Sequence, residues 1–498
     1  MISAPFWLVD SLGNKINMSL MHIRRRRNVK IVATLGPSTT TYEEIRAVFE
    51  AGADVFRLNF SHGEHADHAA RMKIIRQIEK EAHRPIGVMA DMQGPKLRMG
   101  RFKGGKVTLE AGQAFRLDLD ENTEGDETRA PLPHREVFQA LEPGAEVLMD
   151  DGRIRMEVVS LKSDSAEMKV TAGGVLSDRK GVNLPGVLLP VSPLTKKDCI
   201  DLEYAISIGA DWIALSFVQR PDDLAEARAL IKGRAGLLTK FEKPSAINQM
   251  DQLVELSDAV MVARGDLGVE TPPEDVPLAQ KQLIRACRLQ GKPVIVATQM
   301  LESMVTAPAP TRAEASDVAT AVFDGADAVM LSAETAAGQY PVEAVSMMDR
   351  IAVRTESDPG YRDALNATRH DPDPTAADAI SRAARQVAET ISAAAIVTYT
   401  TSGSTTLRAS RERAEAPVLG LTSRVETARQ LALAWGVRPE HTADVTDFSE
   451  MVRKACAIAY DRDLAKLGDR IVVTAGVPFG TPGSTNVLRI AWITEDEA

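Results

Sequence analysis

Charged and polar side chains recur at the ends of short apolar runs, and their types suit phosphate chemistry on a hard cation. Lys240-Phe-Glu242 closes one run and Arg264-Gly-Asp266 closes the next. Carboxylates from neighbouring runs fit Mg²⁺ or Mn²⁺, which takes few protein oxygens and leaves room for water and phosphate. Lys240, Arg57 and Arg98 would offer positive charge to phosphoryl oxygens. Further polar ends are Arg57-Leu-Asn59-Phe-Ser61-His62, Asp91, Thr298-Gln299 and Ser332-Ala-Glu334. One such residue is usually a cap or an ion pair. Six polar ends converging on one place argue for a site.

Convergence requires elements that bring the ends together. From Lys30 onward, β-branched runs at 30–35, 55–60, 86–91, 212–217, 237–242, 259–263, 293–298 and 328–331 alternate with amphipathic stretches such as 42–50, 222–231 and 278–288. That rhythm predicts βα units around a parallel sheet, and eight of them make a (β/α)8 barrel whose catalytic groups lie at the carboxyl ends of the strands. The rhythm breaks between Gly94 and about Pro190. Short strands there, at 107–109, 114–119, 146–149, 153–159 and 166–171, predict an inserted all-β lid at the catalytic end.

The polar stretch 357–374 reads as a linker, and a second βα series follows, with strands at 395–399, 417–421, 470–474 and 487–492 and helices at 376–391, 425–434 and 448–460. The expected fold is therefore α/β. Residues 1–27 form an N-terminal extension, 28–94 with 190–355 the barrel, 95–189 the lid, and 356–498 a C-terminal α/β domain. Met18 and Met21 just before the first strand also suit a later start, and Arg24 to Arg27 follow the apolar part, the reverse of a secretory signal.

Net charge of −10 from 59 basic and 69 acidic residues disfavours nucleic acid and anionic membrane as partners. Cys199, Cys287 and Cys456 lie far apart without metal-ligand spacing, which suits packing roles and a reducing cytoplasm. The methionines of 300–304 and 347–348 read as packing residues.

Seven segments together resemble pyruvate kinase: Lys30-Ile-Val-Ala-Thr-Leu-Gly-Pro37, Phe56-Arg-Leu-Asn-Phe-Ser-His-Gly63, Lys240-Phe-Glu242, Met261-Val-Ala-Arg-Gly-Asp-Leu-Gly-Val-Glu270, Ala297-Thr-Gln-Met-Leu-Glu-Ser-Met304, Pro310-Thr-Arg-Ala-Glu-Ala-Ser-Asp317 and Met330-Leu-Ser-Ala-Glu-Thr335. They stand in the family's order. The resemblance implies phosphoryl transfer from phosphoenolpyruvate to ADP, followed by protonation of the enolate to pyruvate, in a homotetramer. It implies Glu242 and Asp266 as Mg²⁺ ligands, Lys240 stabilising the phosphoryl in flight, Arg57 gripping phosphate, Gly265 and Asp266 receiving the substrate carboxylate at a helix start, and Thr298 in a proton relay with water. Arg98, His62 and Lys180 would contact nucleotide phosphates.

One segment departs from the family. Potassium-dependent members carry Asp-Thr-Lys-Gly-Pro-Glu, where this chain has Asp91-Met-Gln-Gly-Pro-Lys96. The resemblance places a monovalent-cation site at Asn59, Ser61, Asp91 and the Met92 carbonyl, with Lys96 nearby. An ammonium there would substitute for K⁺ and leave the site vestigial. The expectation is activity without K⁺, as in the family's potassium-independent branch, although Asn59, Ser61 and Asp91 survive. Thr400, Thr401, Ser402, Gly403, Ser404 and Thr405 resemble the family's effector loop for a sugar phosphate or AMP, and equally suit an ordinary helix cap. Rival readings are an enolate-forming carbon–carbon lyase of a related barrel and a non-catalytic metabolite sensor.

Overall fold

The computed structural model describes residues 25–369, 371–445, 447–477 and 485–496, together with an antiparallel pair of short strands, Trp7–Val9 and Lys15–Asn17. The rest of the expected extension lies outside the described residues. Arg25 and Arg27, counted with it above, are buried against the barrel.

Eight parallel strands close into a barrel: Lys30–Leu35, Val55–Asn59, Gly87–Asp91, Trp212–Leu215, Gly236–Phe241, Ala259–Ala263, Val294–Ala297 and Ala328–Leu331, with the third paired to the fourth and the eighth to the first. Each observed strand falls within two residues of its expected run. Helices between them begin on capping boxes, Thr41 with Glu44, Thr195 with Asp198 and Thr311 with Glu314, where side chain and backbone satisfy each other's free N–H groups. Inside the barrel, alternate residues such as Val32, Val55, Met89, Trp212, Leu238, Met261 and Ile295 form one buried cluster. Met300, Met304 and Met348 are likewise fully buried.

Between the third and fourth strands the chain leaves at Gly94, whose φ of 71° suits glycine, and builds a mostly-β domain. A six-stranded sheet and a two-stranded sheet enclose their own core of Phe115, Leu117, Val147, Met156, Val170 and neighbours. Beyond the expected strands lie Arg129–Pro131, Gly174–Ser177 and Val182–Asn183, and a helix Arg135–Ala140.

The stretch 357–374 is more than a linker. It holds the helix Pro359–Ala367, whose Tyr361 and Leu365, one turn apart, are buried while Asp363, Asn366 and Ala367 face solvent. The C-terminal domain is a five-stranded sheet in the order Val437–His441, Val418–Thr422, Ala395–Tyr399, Arg470–Gly476, Thr485–Trp492, with only the last strand antiparallel. The sequence reading passes over Val437–His441, an edge strand, where Pro439 is tolerated.

This domain closes the amino end of the barrel. Ala432 and Leu433 join the barrel's inner cluster. At Gly87, the start of the third strand, a side chain would meet the Arg429 carbonyl at 2.7 Å. Lys30 Nζ donates to the Val437 carbonyl at 2.6 Å, Arg429 pairs with Glu79 at 2.8 Å, and Arg413 pairs with Asp327 at 3.0 Å. Beneath them, buried Asp54 takes Arg27 at 2.7 Å, Arg84 at 2.8 Å and the Ile31 N–H at 3.0 Å. Burial favours the neutral acid at Asp54, but Arg27, Arg84, Lys30 and Arg25 outweigh it and hold the carboxyl far below the usual range. Its stabilising effect is therefore complete above the unfolded-state pKa of about 3.9 and is lost as pH falls below it. Asp54→Asn is expected to cost about 3–5 kcal/mol at pH 7 by leaving arginines uncompensated. Thermal melts should show this deficit shrinking once the pH drops below about 4.

Candidate active site

Side chains alternate faces along a strand, so the residues that continue the barrel's inner stripe point into its mouth. Thr34 follows Val32, Arg57 follows Val55, Asp91 follows Met89 and Ser216 follows Ala214. Lys240 and Glu242 follow Leu238. The register sets Asp91 beside Asn59 and Ala214, and Arg57 beside Thr34 and Met89.

These groups meet around one ammonium. Lys240 Nζ lies 2.7 Å from Glu242 Oε1 and 3.1 Å from Asp91 Oδ1, and donates to Ser216 Oγ at 2.7 Å. Ser216 in turn donates to the Met92 carbonyl at 2.7 Å. Arg57 reaches Asp91 Oδ2 through Nε and Nη2, each at 2.7 Å, and Thr34 Oγ1 at 3.2 Å. Burial opposes the charge on Lys240, but Asp91 and Glu242 outweigh it and raise its pKa above that of an ordinary lysine. Burial likewise opposes the Asp91 carboxylate, and Lys240 and Arg57 outweigh it and lower its pKa. Glu242 goes the other way: burial raises its pKa, Lys240 opposes the rise, and the charge of Asp266 adds to it. Lys240 divides its charge between two carboxylates, so Glu242 is incompletely compensated.

Asp266 sits in the first turn of the helix Arg264–Glu270, half-buried, and its carboxylate makes no hydrogen bond or ion pair among the described residues. An under-compensated Glu242 and an unengaged Asp266 whose charges repel fit a divalent cation, which would relieve both. No cluster of three or more His, Cys, Asp or Glu that could hold a metal occurs among the described residues. The remaining positions of such an ion fall to water and substrate oxygens.

Thr298 and Gln299 follow the seventh strand with φ of 71° and 54°, strained values for residues with a Cβ. Thr298 Oγ1 donates to the Ala297 carbonyl at 2.6 Å and accepts the Gly265 N–H at 2.7 Å. Arg264 fixes the turn by donating to the Thr298 carbonyl and pairing with Asp317, both at 2.7 Å. A cleft of about 710 Å³ opens here between barrel and lid, with Lys96, Asp151, Gly265, Asp266 and Gln299 on its walls.

Arg98 and Lys180 lie on the lid, Arg98 donating to the Arg179 carbonyl at 3.1 Å and Lys180 paired with Asp150 at 2.7 Å. His62 and Ser61 are exposed beyond the second strand, where Asn59 Oδ1 accepts the Ser61 N–H at 3.1 Å. Lys96 is exposed, on the cleft wall with Asp266. Glu334, one of the polar ends, is fully buried and accepts the Leu301 and Ser332 N–H groups at 3.1 and 2.7 Å, so it ties loops together. Gly403 starts the helix Ser404–Arg411 without a side-chain cap. The Thr400 hydroxyl accepts the Gly403 N–H at 2.9 Å, Thr405 bonds Thr485 at 2.8 Å, and Thr401 accepts from Thr427. Ser402, Gly403 and Ser404 line a second cleft, of about 860 Å³, between barrel and C-terminal domain.

The family model described as pyruvate kinase, barrel domain, matches residues 26–345, and that described as pyruvate kinase, alpha/beta domain, matches 378–491. The chain belongs to the pyruvate kinase family. A pyruvate kinase of Methylorubrum extorquens is 53% identical over 476 residues, covering 96% of this chain and 99% of the relative. One from Agrobacterium vitis is 51% identical over 470 residues, covering 94% and 99%. The crystal structure of a pyruvate kinase from Cryptosporidium parvum superposes with a TM-score of 0.88 at 33% identity, covering 94% of this chain and 96% of that one. A pyruvate kinase family member is a phosphotransferase, and its closed barrel, mostly-β domain and C-terminal α/β domain are the family's fold.

Sequence reasoning passes over Ser216, because it lies inside the run read as the fourth strand, which ends at Leu215. The period-2 count from Trp212 and Ala214 was the available signal. Ser216→Ala removes one hydrogen bond to a buried ammonium and should lower turnover by about tenfold, with little change in Tm; steady-state kinetics and a thermal melt check this.

Proposed function

We propose that this chain carries out Mg²⁺- or Mn²⁺-dependent transfer of the phosphoryl group from phosphoenolpyruvate to ADP, giving pyruvate and ATP, the last step of glycolysis. The observation that carries the reading is the ammonium of Lys240, held at the barrel mouth between Asp91, Glu242 and Ser216. A fixed cation in a buried setting stabilises charge on a phosphoryl in flight without reorganising at the moment of transfer. Arg57, oriented by Asp91, grips the phosphate. Glu242 and Asp266 would hold the cation, which when bound would supply positive charge to offset the charge developing on the phosphoryl group. The Gly265 segment receives the substrate carboxylate, and Thr298 passes a proton to the enolate through water. Its hydroxyl first has to release the Ala297 carbonyl.

Arg98, His62 and Lys180 form the nucleotide side of the proposal. Lys180 would exchange Asp150 for a phosphate as the lid closes. A coupled assay consuming phosphoenolpyruvate and ADP tests the reading, and Lys240→Met should abolish turnover with the fold intact. An unsubstituted chain that makes neither pyruvate nor ATP would sink it in favour of the lyase or the sensor.

The potassium-independent branch is the finer assignment. It is supported by Lys96 and by prior engagement of the monovalent-cation ligands: Asp91 by Arg57 and Lys240, and the Met92 carbonyl by Ser216. Turnover in tetramethylammonium salts should match that in KCl, whereas Lys96→Glu should need K⁺. Collapse of the unsubstituted enzyme without K⁺ refutes this.

A homotetramer is proposed from the family, with support from the exposed apolar side chains Leu278, Phe323 and Trp492. Control by a sugar phosphate or AMP at 400–405 is proposed for the cleft lined by Ser402 to Ser404. A cytoplasmic location is supported by the low cysteine count, three in 498 residues, far apart in the chain. No helix among the described residues is long and apolar enough to cross a membrane.

A further inference from the structure

Two buried charged side chains near the site have no part in the mechanism above. Glu270 ends the same short helix, Arg264–Glu270, whose first turn carries Asp266. Its side chain is 1% exposed, and Oε1 accepts from Lys243 Nζ and, at 2.9 Å, from Asn183 Nδ2; Oε2 has no hydrogen-bond partner among the described residues. Lys243 directly follows Glu242 and lies over the Phe217 ring, 5.4 Å from its centre. Phe217, at the strained φ of 58°, donates its N–H to Glu242 Oε2 at 2.8 Å. Asn183 belongs to the other domain, on the lid strand Val182–Asn183 that pairs with Glu146–Met149. A second approach lies beside it, where a Cβ on Gly152 of the lid would come within 4.0 Å of Val269.

A chain of contacts thus runs from Glu242 through Phe217 and Lys243 to Glu270, and from Glu270 both along its helix to Asp266 and across to the lid. We propose that Glu270 is a positioning residue that couples the placement of the lid, through Asn183, to the helix presenting Asp266. An ion pair taken out of water is a poor source of net stability, and its usual yield is one fixed arrangement. Here one carboxylate oxygen serves two domains. A lid that shifts away strips Glu270 of its neutral donor and leaves the buried pair less satisfied, so lid and helix settle together. This inference rests on the reading of Glu242 and Asp266 as the cation site.

The test uses the full chain with Asn183→Ala, Asn183→Gln and Glu270→Gln. Formation of pyruvate by the unsubstituted chain is read first, which separates failure of the proposed activity from failure of the coupling. Mn²⁺ alone is then titrated without substrate, following free Mn²⁺ by electron paramagnetic resonance, and amide exchange is measured over residues 264–270. Loss of one hydrogen bond to a charged acceptor should make Asn183→Ala bind Mn²⁺ about threefold more weakly, exchange faster in the helix and lose about tenfold in kcat, at an unchanged Tm. Asn183→Gln should recover part of each. Glu270→Gln combined with Asn183→Ala should lose less than the product of the single effects. Unchanged Mn²⁺ binding and helix exchange in Asn183→Ala, or losses that merely follow a fall in Tm, would overturn the coupling.

Discussion

A lysine ammonium inside a protein needs negative charge and hydrogen-bond acceptors close by, and the barrel meets that need for Lys240 by bringing three strand ends to one point. Asp91, Ser216 and Glu242 come from the third, fourth and fifth strands. Each reaches the mouth only because it continues the inner stripe of its strand. A slip of one residue in any of them would turn the group outward and replace it with an apolar neighbour. Register, core packing and charge placement are therefore one constraint.

The same rule operates at the opposite end, where the C-terminal domain meets the barrel. Asp327 receives Arg413 and the Trp435 N–H, Glu79 receives Arg429, and Lys30 donates to a carbonyl of the edge strand. Such joints are costly to break one partner at a time. They hold the two domains in a defined relation beyond what the apolar contact through Ala432 and Leu433 would fix. The lid differs. It has its own core, and its polar links to the barrel, the Asn183 amide on Glu270 and the Leu189 backbone on Gln219, rest on neutral lid groups rather than on ion pairs. It is the natural part to move.

The strands and the lysine–carboxylate centre were readable in the sequence because strand periodicity dictates both burial and direction. Lys240, Glu242 and Asp91 sit at ends that counting in steps of two locates. Reading failed where that periodicity stops. Glu334 is polar and follows a strand, but past the last ladder bond its direction is set by the loop, and it turns inward to cap N–H groups. The helix Pro359–Ala367 hides behind a polar composition because two apolar residues one turn apart suffice to seat it. Lys96 lies beyond Gly94, where a left-handed turn redirects the chain, and no spacing rule would have put it on the wall shared with Asp266. Lys243, Glu270 and Asn183 meet only across a domain boundary, a relation no local pattern encodes.

The position of the lid within the chain bears on how the barrel folds. Barrel closure pairs Met89 and Asp91 in the third strand with Trp212 and Ala214 in the fourth, and the whole lid lies between them. With the lid unfolded, that pairing closes one of the longest loops in the molecule, and long-range pairing of parallel strands is slow. With the lid folded, its two ends are held near one another, and the same closure spans only the distance between them. A lid that forms early on its own core would thus act as a folding aid to the barrel. Destabilising its interior at Phe115 or Val170 should then slow barrel assembly even though neither residue touches a barrel strand.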